Sequence, residues 1–150
     1  MKAKLLFPPF FEPPTAWLVS IGNIRLGVHL LDGWCIEVRG QARVLSRSDD
    51  MMHLLPLLEM GRVQFYEYLY RVAQGRSELK EIPSSFPAIL LLRFALESSV
   101  SDYWPLKALD WIEAETTVDS KIREDLRTLL SKPWVSQRLK QRAERALKQC

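Results

Sequence analysis

The spacing of hydrophobic residues along the chain changes near Ser48. Before this point, apolar and polar residues alternate, and dipeptides typical of tight turns interrupt the alternation. After it, apolar residues recur every three to four positions, which is the period of a helix packed on one side. The sequence therefore predicts an α+β fold. An antiparallel β-meander at residues 15–47 is followed by a helical region at 48–150, packed with it as one domain.

The meander is predicted to contain about four strands. Gly22-Asn23, Asp32-Gly33 and Gly40-Gln41 mark its turns, because two-residue hairpin loops need positive φ angles that glycine adopts easily. One face of the sheet is apolar and needs a cover, whereas the other can face water. The residues predicted on the polar face are Arg25, His29, Glu37, Arg39 and Arg43.

Residues 1–14 are rich in proline and phenylalanine. Because proline interrupts helices and central strands, this segment is predicted to be an extended arm that docks on the body through its Phe side chains. The alternative is a free Pro-rich segment that binds an aromatic groove of another protein.

About six helices are predicted after the meander. Ser48-Asp49-Asp50 is a good N-cap cluster for the first of them, and Gly75 is predicted as the C′ residue of the second. Pro87 and Pro105 are expected in the first turns of later helices, where a missing N–H costs little. The predicted helices span residues 51–60, 62–74, 85–98, 102–115, 119–131 and 134–150.

Two of these helices share a spacing of large, small and large apolar residues. The residues at offsets zero, four and eight are Trp104, Ala108 and Ile112 in one helix, and Leu139, Ala143 and Leu147 in the other. With the basic residue that follows Leu139, residues 85–148 resemble the helix pairs of HEAT-like α-helical repeat proteins. The resemblance implies antiparallel helix pairs stacked on each other, and a binding scaffold rather than an enzyme. About two pairs are visible, whereas a free-standing array generally needs three or more.

The sequence contains no motif typical of an enzyme active site, a phosphate-binding loop or a dinucleotide-binding fold. The one nucleophilic alternative pairs Cys35 with His29, since the two side chains are predicted to share a face of the sheet. A solvated His29 is the favoured interpretation. The few histidines and cysteines show no metal-ligand spacing. No catalytic residue, metal or cofactor is therefore predicted.

The net charge of +3, from 21 basic and 18 acidic residues, is too small to indicate a nucleic-acid partner by itself. Basic residues are concentrated in the last predicted helix. Part of this charge suits the negative end of a helix dipole. The functional interpretation is a surface for an acidic partner, formed by Arg138, Arg142 and Arg145, with nucleic acid as the alternative.

A second predicted contact surface lies on the helix at 62–74, where tyrosines are concentrated. Tyr66 and Tyr70 share a stripe next to the apolar one, and Tyr68 lies away from both. Packing between the sheet and later helices is one explanation for these aromatic residues. The other is a binding surface formed by Tyr66, Tyr68 and Tyr70, because tyrosine is enriched at interfaces.

The sequence thus favours a non-enzymatic protein–protein interaction module. A bacterial immunity protein, an antitoxin-type inhibitor, is one concrete form of this hypothesis. The alternative is a nucleic-acid-binding protein that uses the basic C-terminal helix. Cys35 and Cys150 form no disulfide framework, prolines interrupt the apolar N-terminus, and the longest other apolar run, at 88–92, is far shorter than a membrane span. A cytoplasmic protein without membrane association is expected.

Overall fold

The computed structural model describes residues 2–114 and 118–149. The chain divides into two compact units, Met1–Pro87 and Ala88–Cys150. Within the described residues, the first unit holds a five-stranded antiparallel sheet and three α-helices, and the second unit holds four α-helices. The predicted α+β class is confirmed. The predicted counts of about four strands and about six helices are each too low by one.

The five strands follow one another across the sheet in chain order, and each neighbouring pair is antiparallel. They are β1 (Ala3–Glu12), β2 (Thr15–Ile21), β3 (Ile24–His29), β4 (Gly33–Val38) and β5 (Gln41–Val44). The meander predicted at 15–47 is present as β2 to β5. The edges of the complete sheet are β1 on one side and β5 on the other.

The segment predicted as a docked arm is the additional strand, β1. Its register against β2 shifts between Leu5 and Phe10, so that several residues of β1 lie outside regular pairing. Pro8 and Pro9 fall within this shifted stretch, where the absence of an N–H costs no ladder hydrogen bond. The prolines are therefore compatible with an edge strand, although they would break a central one.

The turn between β4 and β5 lies one residue earlier than predicted. Val38 pairs with Gln41, so the loop residues are Arg39 and Gly40. Both have positive φ angles, 54° at Arg39 and 79° at Gly40. This pair of angles is typical of a type I′ hairpin, which matches the right-handed twist of the strands. The turn at Gly22-Asn23 lies where it was predicted, because Ile21 pairs with Ile24.

The turn between β3 and β4 is longer than predicted. His29 pairs with Gly33, so the loop consists of residues 30–32. The Nδ1 atom of His29 accepts hydrogen bonds from two backbone amides of this loop. Cys35 therefore lies opposite Gly27 on β3, and not opposite Leu30 as a two-residue turn would require.

One face of the sheet packs against the helices of the first unit. Its buried residues on the three central strands are Ala16, Val19, Ile21, Leu26, Val28, Trp34 and Ile36. The indole N–H of Trp34 donates to Ser85 Oγ at 3.0 Å, and the Trp34 ring meets Phe86 edge-on at 5.0 Å between centroids. The helices of the first unit therefore bury the apolar face of the sheet, as was predicted.

The opposite face of the sheet carries a self-contained polar cluster. The indole of Trp17 lies over Gly27, where an added Cβ would stand 2.6 Å from a ring carbon. The guanidinium of Arg25 stacks 4.2 Å from the Trp17 ring centroid and donates to Glu37 at 2.9 Å and to Glu12 at 3.1 Å. The arginine pairs with both carboxylates, so the cluster ties β1, β3 and β4 together and keeps one excess negative charge.

Short helices connect the sheet to the second unit. They are a 3-10 helix (Ser48–Leu54), α1 (Pro56–Met60), α2 (Arg62–Gly75), a second 3-10 helix (Ser77–Leu79) and α3 (Ile82–Ser85). The single helix predicted at 51–60 is divided, because Pro56 has no N–H for an internal helical bond and starts α1 instead. Asp50 ties the start of the first 3-10 helix to the chain before it, accepting from the amides of Ser46 and Arg47.

Four helices form the second unit: α4 (Ala88–Ser98), α5 (Tyr103–Ile112), α6 (Ser120–Leu130) and α7 (Gln137–Leu147). Asp119 caps α6 and Ser136 caps α7 through their side chains. The helix predicted from residue 85 begins at Ala88, because Pro87 forces the preceding residue into an extended conformation. The predicted end of the next helix, near Glu115, lies outside the described residues. None of the described helices is long and apolar enough to cross a membrane.

The resemblance to HEAT-like repeats is wrong. The chain is an α+β protein with a sheet in its first unit, and its described helices do not continue as an array of pairs. The alanines that suggested the resemblance, Ala108 and Ala143, are both fully buried in α5 and α7, which contact each other. A small residue where two helices approach closely is a requirement of helix packing in general, so the spacing does not identify a repeat family.

Candidate functional site

The three tyrosines predicted to form a binding surface do not share one face of α2. Tyr68 is buried, and its hydroxyl lies within hydrogen-bonding distance of the carbonyl oxygens of Leu6 and Leu18. Tyr66 is partly buried beneath the Arg62 guanidinium, whereas Tyr70 is 59% exposed. Residues two apart on a helix point about 200° away from each other, so the three rings do not form one contact surface.

The three arginines predicted on the C-terminal helix also differ in environment. Arg142 is largely buried and donates to Asp110 at 2.8 Å and to Glu113 at 3.1 Å. Arg138 and Arg145 are exposed and seven residues apart, so they share one face of α7. The positive charge available to a partner on this helix is therefore smaller than the sequence indicated.

His29 and Cys35 do share a face of the sheet, but their chemistry is unsuited to nucleophilic attack. Burial raises the pKa of the Cys35 thiol, so the thiol stays protonated at neutral pH. Nδ1 of His29 is an acceptor for the amides of Leu31 and Asp32, at 3.2 and 3.1 Å. This nitrogen is therefore engaged by the loop and is not free to act as a base towards the thiol. Cys150 lies outside the described residues.

Clusters of metal-ligating side chains are not found in the part of the chain that the structure describes. No group of three or more His, Cys, Asp or Glu residues there is arranged to hold a metal ion. The remaining candidate sites in the described chain are its exposed surfaces and grooves.

Strand β5 is the most exposed element of the sheet. All four of its residues are exposed, and β4 is its one neighbour in the sheet. The amide of Leu45, just after β5, donates to the carbonyl of Trp34 at 3.0 Å. Because bonded and non-bonded pairs alternate in an antiparallel ladder, Arg43 and Gln41 bond to β4 while Val44 and Ala42 direct their backbone groups outward.

A groove of about 760 Å³ adjoins this edge. Its apolar lining includes Ile24, Val38 and the exposed side chain of Met52 on the first 3-10 helix. Its charged and titratable lining residues are Arg39 and Arg43, with His53, and no carboxylate lines it. We call strand β5 together with this groove the β5 site. It combines an open backbone edge, an apolar floor and positive charge.

Two smaller depressions lie elsewhere in the first unit. One, of about 610 Å³, is lined by both Lys2 and Glu59 and has no consistent charge. The other, of about 260 Å³, lies beneath Phe7 and Phe11, whose rings are already stacked under arginines of α2 and the residue after it. Neither depression adjoins an open strand edge.

The sequence contained a signal for parts of the β5 site. Ala42 to Leu45 alternates after the predicted turn at Gly40-Gln41, and polar residues follow it, which is typical of the last strand of a meander. The sequence did not show that Arg43 faces the groove. That orientation follows from the pairing of Arg43 with Ile36, whose side chain is on the helix-covered face. The prediction that placed Arg43 on the polar face with Glu37 is therefore wrong, because Ala42 and not Arg43 pairs with Glu37.

Comparison of the chain with protein-family models, with curated proteins and with solved structures finds no significant match. The function must therefore be inferred from the β5 site itself.

Proposed function

We propose that this protein is a protein–protein interaction module that binds its partner at the β5 site. The single observation that carries the proposal is the open edge of β5 beside a groove. An unpaired strand edge presents a row of backbone donors and acceptors, and natural proteins usually block such edges. In this sheet the β1 edge is blocked and the β5 edge is open.

The contrast between the two edges supports this choice. Edge strand β1 contains prolines within its irregular stretch and contacts α1 and α2. Strand β5 contains no proline, pairs in regular register with β4, and is exposed along its whole length. The short length of β5 limits unwanted aggregation while leaving room for a specific contact.

The alternative function, nucleic-acid binding through the C-terminal helix, has weaker support. Arg142 is engaged by two carboxylates, so charge on α7 is partly neutralised. The antitoxin-type role remains a hypothesis about the partner, and the β5 site would be its contact surface.

Selection from a library of random peptides displayed on phage tests the proposal. The purified protein is the bait, and binding of the selected peptides is mapped by chemical-shift changes of backbone amides. We expect enriched peptides to shift the signals of β5 and of the 3-10 helix at Ser48–Leu54. Failure to enrich any peptide, or shifts confined to α2 or α7, would contradict the proposal.

A further inference from the structure

We propose that the occupant of the β5 site is an acidic, extended segment of another protein, which joins the sheet as a sixth strand beside β5. This inference rests on the proposed function and specifies the class of partner and its mode of binding. It follows from the directions of the backbone groups, the chemistry of the groove, and the conformation of one turn residue.

The backbone of β5 is arranged to accept another strand. Ala42 and Val44 lie opposite Glu37 and Cys35 in non-hydrogen-bonded pairs of the β4–β5 ladder. Their N–H and C=O groups point away from β4, and β5 has no second neighbour among the described strands. The N–H and C=O groups of these two residues are two positions apart, which is the spacing at which an added antiparallel strand forms its backbone hydrogen bonds.

The side chains beside this edge favour alternating apolar and acidic residues. Met52 is 53% exposed and lines the groove with Ile24 and Val38, so it offers an apolar surface to every second residue of an added strand. Val44, 45% exposed, offers a second apolar contact on the opposite face. These surfaces would become buried when a strand is added.

The charges of the groove select for acidic residues. Arg39 forms no ion pair with any described residue, and Arg43 has only a long contact, 3.9 Å, to Asp50. The Asp50 carboxylate is already held by the amides of Ser46 and Arg47, so Arg43 remains available to a second carboxylate. Arg47, the other nearby cation, is 75% exposed, lies 3.9 Å from Asp49 and does not line the groove.

The conformation of Arg39 is a further reason to assign it a role in binding. Its φ of 54° lies in the left-handed region, where glycine or asparagine is far more favourable than arginine. Arginine at this position therefore costs stability in the turn. The cost is explained if the guanidinium at the rim of the groove serves recognition.

A second copy of this chain is a poorer occupant than an acidic segment. Pairing of β5 with β5 of another molecule would bring the Arg43 and Arg39 side chains of the two copies close together. Like charges in neighbouring strands destabilise pairing. An acidic strand would neutralise the same charges.

The test uses two synthetic peptides of about ten residues, the upper range for a strand. In one peptide glutamate alternates with valine, and in the other lysine replaces glutamate. Binding to the full-length protein is measured by fluorescence anisotropy. We expect the glutamate peptide to bind at least about tenfold more tightly, a difference of about 1.4 kcal/mol. Equal affinities would overturn the acidic character of the occupant.

Two further measurements test strand addition. Val44→Pro removes an outward N–H, which an edge strand tolerates, whereas the control Val44→Thr keeps it. We expect Val44→Pro to weaken the glutamate peptide at least about tenfold and Val44→Thr to change affinity little. If Val44→Pro unfolds the protein, as circular dichroism would show, N-methylation of alternate peptide amides tests the same bonds on the wild-type protein. Unchanged affinity after N-methylation would overturn strand addition.

Arg39→Gly separates recognition from folding. We expect this variant to bind the glutamate peptide several-fold more weakly while its resistance to urea is equal or greater. Unchanged affinity would remove Arg39 from the site.

Failure of this inference is distinguishable from failure of the proposed function. If library selection yields peptides that bind the β5 site but lack acidic residues or ignore N-methylation, the inference fails and the proposed function stands. If sedimentation shows a dimer that Val44→Pro dissociates, the occupant is a second copy of the chain and the inference also fails. If no peptide binds the β5 site, both fail.

Discussion

The hydroxyl group of Tyr68 lies 2.8 Å from the carbonyl oxygen of Leu18. Leu18 lies between Trp17 and Val19, and at this point the pairing of β2 shifts register against both β1 and β3. The same hydroxyl also meets the carbonyl oxygen of Leu6, within the irregular stretch of β1. The one O–H proton of this buried phenol is thus shared between two carbonyl acceptors at the irregular point of the sheet, and this explains why a tyrosine belongs in the core of the first unit.

Replacing Tyr68 by phenylalanine is expected to lower the free energy of unfolding by about 1–3 kcal/mol, because the carbonyl groups of Leu6 and Leu18 lose a buried partner. Urea denaturation measures this loss. The matched control is Tyr70→Phe, which removes a hydroxyl from an exposed ring and is expected to change stability by less than about 0.5 kcal/mol. Equal losses in the two variants would show that the Tyr68 bonds contribute nothing specific.

Gly27→Ala is expected to destabilise the protein by about 1–3 kcal/mol, the usual cost of overpacking. The new methyl group would stand 2.6 Å from the carbonyl oxygen of Ala16 and equally close to the Trp17 ring. Because the Ala16 oxygen belongs to the backbone of a paired strand, it cannot move aside to make room for the methyl group. Gly75→Ala is the control, since a Cβ there meets nothing within 4 Å. Thermal denaturation of both variants decides the matter, and a Gly27→Ala protein as stable as wild type would contradict the close approach.

Asp50 makes the stability of the protein sensitive to acid. Hydrogen bonds from the amide of Ser46, and then from Arg47, hold the pKa of the Asp50 carboxyl below its ordinary value of 3.8. A carboxyl whose pKa is lower in the folded state stabilises that state above its unfolded pKa and loses the contribution as the pH falls through its folded pKa.

We therefore expect Asp50→Asn to be less stable than wild type at pH 7 by about 1–3 kcal/mol. The difference should shrink as the pH falls below the ordinary carboxyl pKa of 3.8. Urea denaturation at a series of pH values measures both effects. A difference that stays constant from neutral to strongly acidic pH would contradict the assignment to Asp50.

Arg142 is expected to stabilise α5 against α7. Its guanidinium pairs with Asp110 and Glu113, and its side chain is 15% exposed. Arg142→Ala should therefore cost about 1 kcal/mol, and less at high salt, because the two acids lose their counter-ion. Arg145→Ala, on the exposed face of the same helix, should change stability by less than about 0.5 kcal/mol. Chemical denaturation at low and high salt compares them, and a larger loss for Arg145→Ala would be the contrary result.

Local sequence signals predicted those elements whose stability depends on near neighbours. Period-two alternation placed β2 to β4, since each strand must present alternate residues to the core. Asp119 marked the start of α6 through a bond to an amide two residues away. The turn at Gly22-Asn23 was predicted for the same reason. The last helix was predicted from residue 134, whereas α7 begins at Gln137 after its cap at Ser136.

Predictions were wrong where a partner distant in the sequence decides the conformation. Because of its prolines, the segment that forms β1 was not predicted to be a strand. It is held in place by pairing with β2 and by Tyr68, which lies more than 60 residues further along the chain. The prediction that Tyr68 lies away from the apolar stripe was also wrong, because Tyr68 is buried on the same side of α2 as Phe65, Leu69 and Val72. This spacing is typical of a core-facing stripe and was a usable signal.

The candidate site shows the same division. The sequence by itself determined that the chain folds as a sheet followed by helices, because hydrophobic periodicity depends only on the order of residues. It also predicted an extended segment from Ala42 onward, after a glycine turn. Only the tertiary structure decided that β5 is an open edge, that Arg43 faces a groove, and that Arg142 is occupied by acids. These properties depend on register and on which distant side chains arrive beside each residue, and no local pattern encodes them.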